Sequence, residues 1–302
     1  MQPTSPPSNS VAAVLTTTSS ELRLEDLPTE IMCIIFKAFD SLRDVAICTF
    51  TCSSWHIILQ DNSIKTAYFM RLLSPSFEAK TQEDAIQKLT NMMAKLSLTP
   101  PLNCSWIHQL HYWTNRKYII IVDNSSSMIR TAKPDSPTYW ATVVAQATRL
   151  VEHLGYLTPE GVYLSTSERD VNQLFKRECI KDSAEAALFL NAQELPSSCY
   201  IAESVHTLLD CNTSKSASAV EVIILSDFEY DIRELKNEFA HIKKLQEKKN
   251  PRPKAVSFHL MSVLTPENDQ YTSLLALPTT KKFHIHKLDL QEPVQEPINS
   301  PQ

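Results

Sequence analysis

Lys117-Tyr-Ile-Ile-Ile-Val122 is a short apolar run rich in β-branched residues, and Asp123-Asn-Ser125-Ser-Ser127-Met128 follows it at once. A run of this kind, bounded by Asp and Ser, is the signature of a strand buried on both faces; a half-solvated strand would alternate apolar with polar side chains. Toward the C-terminus, Val220–Leu225 is a second strongly buried strand, Ala255–Val263 a third, Lys282–Lys287 a short final one, and Gly161–Ser165 a weaker candidate. Helical patterns over Trp140–Leu154, Ser183–Leu190, Ile201–Leu209 and Ile232–Lys248 lie between them. Strands alternating with helices predict right-handed crossovers and an α/β fold with a doubly wound, mainly parallel sheet. In such sheets ligands bind beyond the carboxyl ends of the strands. Asp123 and Asp227, the latter in Ile224-Leu225-Ser226-Asp227, are thereby expected on one edge.

Before about residue 115 the periodicity is helical instead. Ile31, Ile34, Ile35, Ala38 and Phe39 recur at helical spacing after Pro28, which suits a first helical turn because its missing N–H is not needed there. Leu42, Val45, Ala46 and Thr49 continue as a second helical stretch, and Trp55, Ile58 and Leu59 as a third. Thr81 and Asp84 imitate a capping box ahead of a fourth, which Pro100 and Pro101 end. The expected organisation is a Pro/Ser/Thr-rich disordered leader over 1–20, a small all-helical module over 21–70, a helical linker over 71–115, the α/β domain over 116–290 and a disordered tail over 291–302.

Composition narrows the function. The chain of 302 residues holds 2 glycines, Gly155 and Gly161, where average usage would give roughly twenty. That excludes the glycine-rich dinucleotide turn, the Walker phosphate loop and the nucleophile elbow, each of which needs glycine where backbone bends sharply or approaches a ligand. Lys plus Arg (29) trail Asp plus Glu (34) with no basic stripe, so no nucleic-acid partner is expected. No apolar run is long enough to span a bilayer and no signal peptide opens the chain, so no membrane partner is expected either. Cys33, Cys48, Cys52, Cys104, Cys179, Cys199 and Cys211 form no C-x-x-C pair, as suits free thiols in a reducing, cytoplasmic setting.

The segment Leu24-Glu-Asp-Leu27-Pro28-Thr-Glu30-Ile31, continuing through Ile35, Phe36, Leu42, Asp44, Val45, Cys52 and Trp55, resembles an F-box over about residues 22–70. The resemblance rests on the ordered pattern L-P-x-E-I, L-x-D and C-x-x-W. It implies docking onto the Skp-family adaptor of a cullin ubiquitin ligase through Leu27, Pro28, Ile31, Ile35, Phe36 and Trp55. Leu27 and Pro28 would form an apolar hook, and Trp55 would anchor the short helices by burying its ring. A domain of about 45 residues buries too little surface to stand comfortably alone, which suits an exposed apolar face made for a partner.

Asp123-Asn-Ser125-Ser-Ser127 in turn resembles the D-x-S-x-S signature of von Willebrand factor A domains over roughly residues 115–290, with Asp227 where that family carries T-D-G. The resemblance implies a metal-ion-dependent adhesion site in which Asp123, Ser125, Ser127 and Asp227 hold magnesium, a cation that takes hard oxygen ligands. The family's ligand threonine aligns with Cys199, a soft thiol ill suited to magnesium, with Ser198 as a substitute if the loop shifts. Where A domains commonly carry glycine, this chain has Asn124 or Ser126, Ser197, Ser198 and Phe228, residues that adopt φ > 0 less cheaply.

Other constellations are weaker. Cys48, Cys52 and His56 share a helical face but lack a fourth zinc ligand. His284 and His286 point to the same face of an edge strand toward solvent, and Lys243, Lys244, Lys248 and Lys249 form a solvated helix face. The function expected is a non-catalytic adaptor: an F-box that recruits the ligase and an A-like domain that captures an unknown target protein, in a eukaryotic cytoplasm that an intracellular bacterium could also supply it to. The alternative is a metal-dependent binding or scaffolding protein unrelated to ubiquitin. A hydrolase using Asp123 and Asp227 as metal-bound bases is poorly supported, because no second set of catalytic groups is visible.

Overall fold

The computed structural model describes residues 26–39, 42–61, 63–64, 67, 82–98, 109, 112–155, 157–158, 161–169, 175–195, 199–210, 219–248, 255–264 and 268–288. The expected leader and tail, the linker stretches 71–81 and 99–108, and Leu24, Ser197 and Ser198 lie outside these residues.

Three short helices open the described chain: α1 (Thr29–Ala38), α2 (Leu42–Thr51) and α3 (Ser53–Ile58). Pro28 stands one position earlier than expected, at the N-cap of α1 with φ −54° and ψ 145°, and its carbonyl accepts from the Ile31 and Met32 amides. The helix buries Met32 and Phe36, one turn apart, and leaves Ile31 and Ile34 to solvent. Trp55 of α3 meets Phe36 edge to face at 5.8 Å, yet its ring is half-buried rather than enclosed. A fourth helix, α4 (Gln82–Lys95), turns Leu89 and Met93 inward.

The rest is β1 (Arg116–Val122), a 3-10 turn (Ser126–Ile129), α5 (Tyr139–Gly155), β2 (Val162–Arg169), β3 (Phe175–Ile180), α6 (Ser183–Asn191) and α7 (Ile201–Asp210). These lead into β4 (Ala219–Ser226), α8 (Arg233–Gln246), β5 (Ala255–Ser262), α9 (Asp269–Leu275) and β6 (Phe283–Lys287). The strands form one sheet in the order β3-β2-β1-β4-β5-β6, parallel throughout except for β3, which runs antiparallel to β2. This is the expected mainly parallel sheet with an added antiparallel edge. The chain leaves β1 in one direction to build β2 and β3 and returns to its other side to build β4, so the order reverses between β1 and β4; in open sheets of this kind the crevice that takes ligands lies at that point, beyond the carboxyl ends of the strands.

Each sheet face has its own cover. On one, Tyr118, Ile120, Val122, Ile223 and Leu225 pack with Val143, Ala147 and Val151 of α5 and Leu190 of α6. That cluster continues without a break through Trp113, Leu96, Met93 and Leu89 to Met32 and Phe36 of the N-terminal helices. On the other, Ile119, Ile121, Val222 and Ile224 meet Val205 of α7, Leu235 and Phe239 of α8 and Tyr271 of α9. Full burial of one such side chain contributes about 1.5–3 kcal/mol, so both layers add to the same sheet.

Both glycines serve one place. A Cβ on Gly155 would come 2.2 Å from the Lys181 carbonyl oxygen, and one on Gly161, at φ +92°, 2.7 Å from that of Ile180. The end of β3 can therefore pass closely over the α5–β2 connection only because those two positions lack side chains.

A buried ion-paired acid interrupts the apolar layer. Glu221 of β4 is fully enclosed, pairs with the Arg116 guanidinium, and accepts from His259 Nε2 at 2.8 Å. Burial alone pushes this carboxyl up, but His259, by hydrogen bond and charge, and Arg116 together hold it below the ordinary carboxylate range. The expectation that His284 and His286 simply meet solvent is corrected here. His286 stacks on the buried His259 at 5.2 Å and on His284 at 5.7 Å, and burial, helped by both neighbours, pulls it down to about 4.

Candidate functional site

Asp123 follows β1 and Asp227 follows β4, and both side chains are buried where the strand order reverses. The turn after β1 folds on itself: Asp123 Oδ1 accepts from the Ser125 amide at 2.9 Å, which brings Ser125 Oγ and Ser127 Oγ to 2.9 Å from each other. Asp123 Oδ2 accepts from Ser226 Oγ at 2.6 Å, tying the ends of β1 and β4 together. Burial raises the Asp123 carboxyl above its ordinary range; hydrogen bonds from Ser226 and Ser125 oppose this, and the charge of Asp227 adds to it. All four residues expected to gather here, Asp123, Ser125, Ser127 and Asp227, stand on this edge.

Asn124 holds the third side of the crevice. Its Oδ1 accepts from Ser167 Oγ of β2 at 2.9 Å, and its Nδ2 donates to the Glu194 carbonyl at 2.9 Å. Cys199, just before α7, reaches the same point: its thiol lies within hydrogen-bonding reach of Asp123 and Ser167, and burial followed by the charge of Asp123 pushes it well above the ordinary range. Beside the soft thiol, the donor set of Asp123, Ser125, Ser127 and Asp227 consists of hard oxygens of the kind magnesium takes. The two serine hydroxyls are hydrogen-bonded to each other at 2.9 Å. Among the described residues, no group of three or more His, Cys, Asp or Glu side chains is placed to hold a metal, so a cation here would depend on those hydroxyls.

Phe228 adopts the left-handed conformation that favours glycine, with φ 53°. Its amide donates to Ser226 Oγ at 2.8 Å, its carbonyl accepts from Asn268 Nδ2 at 3.1 Å, and its buried ring meets Tyr271 at 5.1 Å. Asn268 also donates to the Asp227 carbonyl and caps α9 through the Tyr271 amide. A bulky residue pays about 1–3 kcal/mol for such a backbone, and these contacts hold it there.

Sequence reasoning passed over Ser226, Asn268 and Arg130. Ser226 was signalled by a hydroxyl directly before the second acid. Arg130 gave no signal, since its partner Asp227 lies 97 residues away.

The helical module presents a different surface. Of the six large apolar side chains exposed among the described residues, four lie on α1–α3: Ile31, Ile34, Ile47 and Ile57. Pro28 is exposed, while Leu27, Ile35 and Trp55 are half-buried against the core. Phe36 is corrected from the expected docking set: at 1% exposure its ring belongs to the interior, because it shares the inward face of α1 with Met32. Residues 24–71 match the F-box-like family model. This module is F-box-like. Domains of that class generally bind Skp-family adaptors in cullin ligase complexes, and proteins that carry an F-box are typically non-catalytic substrate adaptors. The match ends before β1, and no curated protein matches the chain. No helix among the described residues is long and apolar enough to cross a membrane.

Proposed function

We propose that this chain is a substrate-recruiting adaptor of a Skp-cullin-F-box type ubiquitin ligase, working in the cytoplasm, whose α/β domain binds the protein to be modified. The observation that carries the reading is the F-box-like match over residues 24–71, on the same helices that expose Ile31, Ile34, Ile47 and Ile57. The chain would act by proximity: holding a target beside a charged ubiquitin carrier raises the effective concentration without chemistry of its own.

For the second domain we propose a von Willebrand factor A-like identity. The strand order 3-2-1-4-5-6 supports it, together with the Asp123, Ser125, Ser127 and Asp227 cluster at the crevice. The same order serves dinucleotide-binding folds, but their glycine-rich first turn has no counterpart here. Magnesium would be held by Ser125 and Ser127, with Asp123 and Asp227 binding directly or through water. When bound it would supply a Lewis acid for a carboxylate of the target. Asn124 and Ser226 orient the edge by fixing β2 and β4 to β1.

A pull-down with a purified Skp-family adaptor tests the first part. The full chain is expected to bind, and Leu27→Ala combined with Pro28→Ala to reduce binding at least tenfold, about 1.4 kcal/mol. An absence of binding by the folded wild-type chain would leave the scaffolding alternative in its place.

A further inference from the structure

Arg130 is a charged group at the crevice to which the proposed function gives no role. It follows the 3-10 turn, and its Nε donates to the Ser127 carbonyl at 3.0 Å. Its guanidinium donates to Asp227 Oδ2 at 3.2 Å and pairs with the Glu229 carboxylate. The Asp227 side chain is 1% exposed and that of Arg130 49%, so a solvent-reaching cation is laid against a buried acid. That acid belongs to the cluster proposed to hold magnesium. Two cations sharing one carboxylate repel, and the one on a flexible, half-exposed arm moves at lower cost.

Resting on the metal reading above, we propose that Arg130 is a tethered rival of the divalent cation. With the guanidinium on Asp227 the charge of that acid is offset from within; entry of a divalent cation releases Arg130 toward solvent, where Glu229 retains it. The exchange regulates the site: a low divalent concentration leaves it closed by the chain's own charge, and a high one opens it to a carboxylate of the target. Glu229, 37% exposed, is placed to keep the displaced arginine beside the crevice.

Manganese is the probe, titrated into the full chain by calorimetry and followed by electron paramagnetic resonance, with Arg130→Gln, Arg130→Lys and Asp123→Ala beside the wild type. Arg130→Gln is expected to bind manganese at least tenfold more tightly than wild type, about 1.4 kcal/mol. Arg130→Lys, which keeps the charge, is expected to stay near wild type, and Asp123→Ala to abolish binding. Melting gives a second readout: saturating manganese raises the midpoint of Arg130→Gln more than that of the wild type. Equal manganese affinity in wild type and Arg130→Gln would overturn the rivalry and leave the metal reading standing. No binding by any of the proteins at millimolar manganese, with native circular dichroism, would overturn the metal reading and the rivalry with it.

Discussion

Strand β4 carries an acid near each end, and the two are treated in opposite ways. Glu221, near the start, is enclosed between Arg116 and His259. Asp227, just past the end, is equally buried but leans on Arg130, which is half in solvent and shared with Glu229. A buried carboxylate demands a partner in either place. At the first end both partners are enclosed by the fold, Arg116 at 14% and His259 at 0% exposure, whereas at the second the partner stands 49% exposed. Burial of charge alone therefore does not distinguish the two ends; the exposure of the compensating charge does.

The ends also differ in pH response. Glu221 has its folded value depressed, so its stabilisation is present above the unfolded value of about 4.3 and is lost as pH falls through the folded one. Asp123, the other acid at the far end, has a raised folded value. Its cost is absent where the group is protonated in both states and grows as pH climbs from about 3.9 past the raised value.

The largest expected effect breaks the closed end. Glu221→Ala leaves Arg116 and His259 without their acid, and denaturant unfolding at neutral pH is expected to show a loss of about 3–5 kcal/mol. A loss below about 1 kcal/mol would mean that the two ends are not energetically distinct. A smaller effect probes the left-handed turn after Asp227. Phe228→Ala and Phe228→Gly remove the same ring contacts, but only glycine relieves the backbone. The glycine variant is therefore expected to be the more stable of the two by about 1 kcal/mol, inverting the ordinary order. Equal stabilities would show that φ 53° costs nothing there. The smallest effect is on Asp123. Replacement by Asn removes a buried charge and keeps the acceptor for the Ser125 amide but turns a donor toward Ser226 Oγ, which loses its acceptor; the two effects oppose, so stability at pH 7 is expected to stay within about 1 kcal/mol of wild type while manganese binding is lost. A clear loss of stability would place Asp123 with Glu221 among the structural acids.

How legible these features were depended on the distance over which each was determined. β1, β4 and β5 announce themselves because burial on both faces forces continuous apolar runs. β3, Phe-Lys-Arg-Glu-Cys-Ile, escaped because an edge strand needs no such run and is protected by charge. The seven-residue α9 was too short to show a period. Within Val220–Leu225, Glu221 reads as an interruption; its partners lie 105 and 38 residues away, so nothing local reveals the pairing. Asp123, Ser125 and Ser127 were legible because one turn holds them all. Arg130 and Asn268 were not: Arg130 stands beside that turn, but the acid it meets lies 97 residues away, and Asn268 comes to Asp227 from 41 residues further along the chain. Phe228 fell between: the missing glycine flagged the turn, but not that side-chain contacts would keep its left-handed shape.

The unbroken interior that runs from Phe36 through Met93 and Trp113 to the sheet has a consequence for mechanics. Trp113 Nε1 donates to the Leu98 carbonyl at 2.9 Å, and Tyr118 Oη donates to the Trp113 carbonyl at 2.9 Å, so the chain entering β1 is bolted to the helices before it. On the function proposed above, a protein held at the crevice would be presented to a ligase at a set offset and angle, as on a bracket rather than a leash. Reach would then be selective: lysines on one flank of the captured protein would enter range and those on the opposite flank would not, whatever their chemistry.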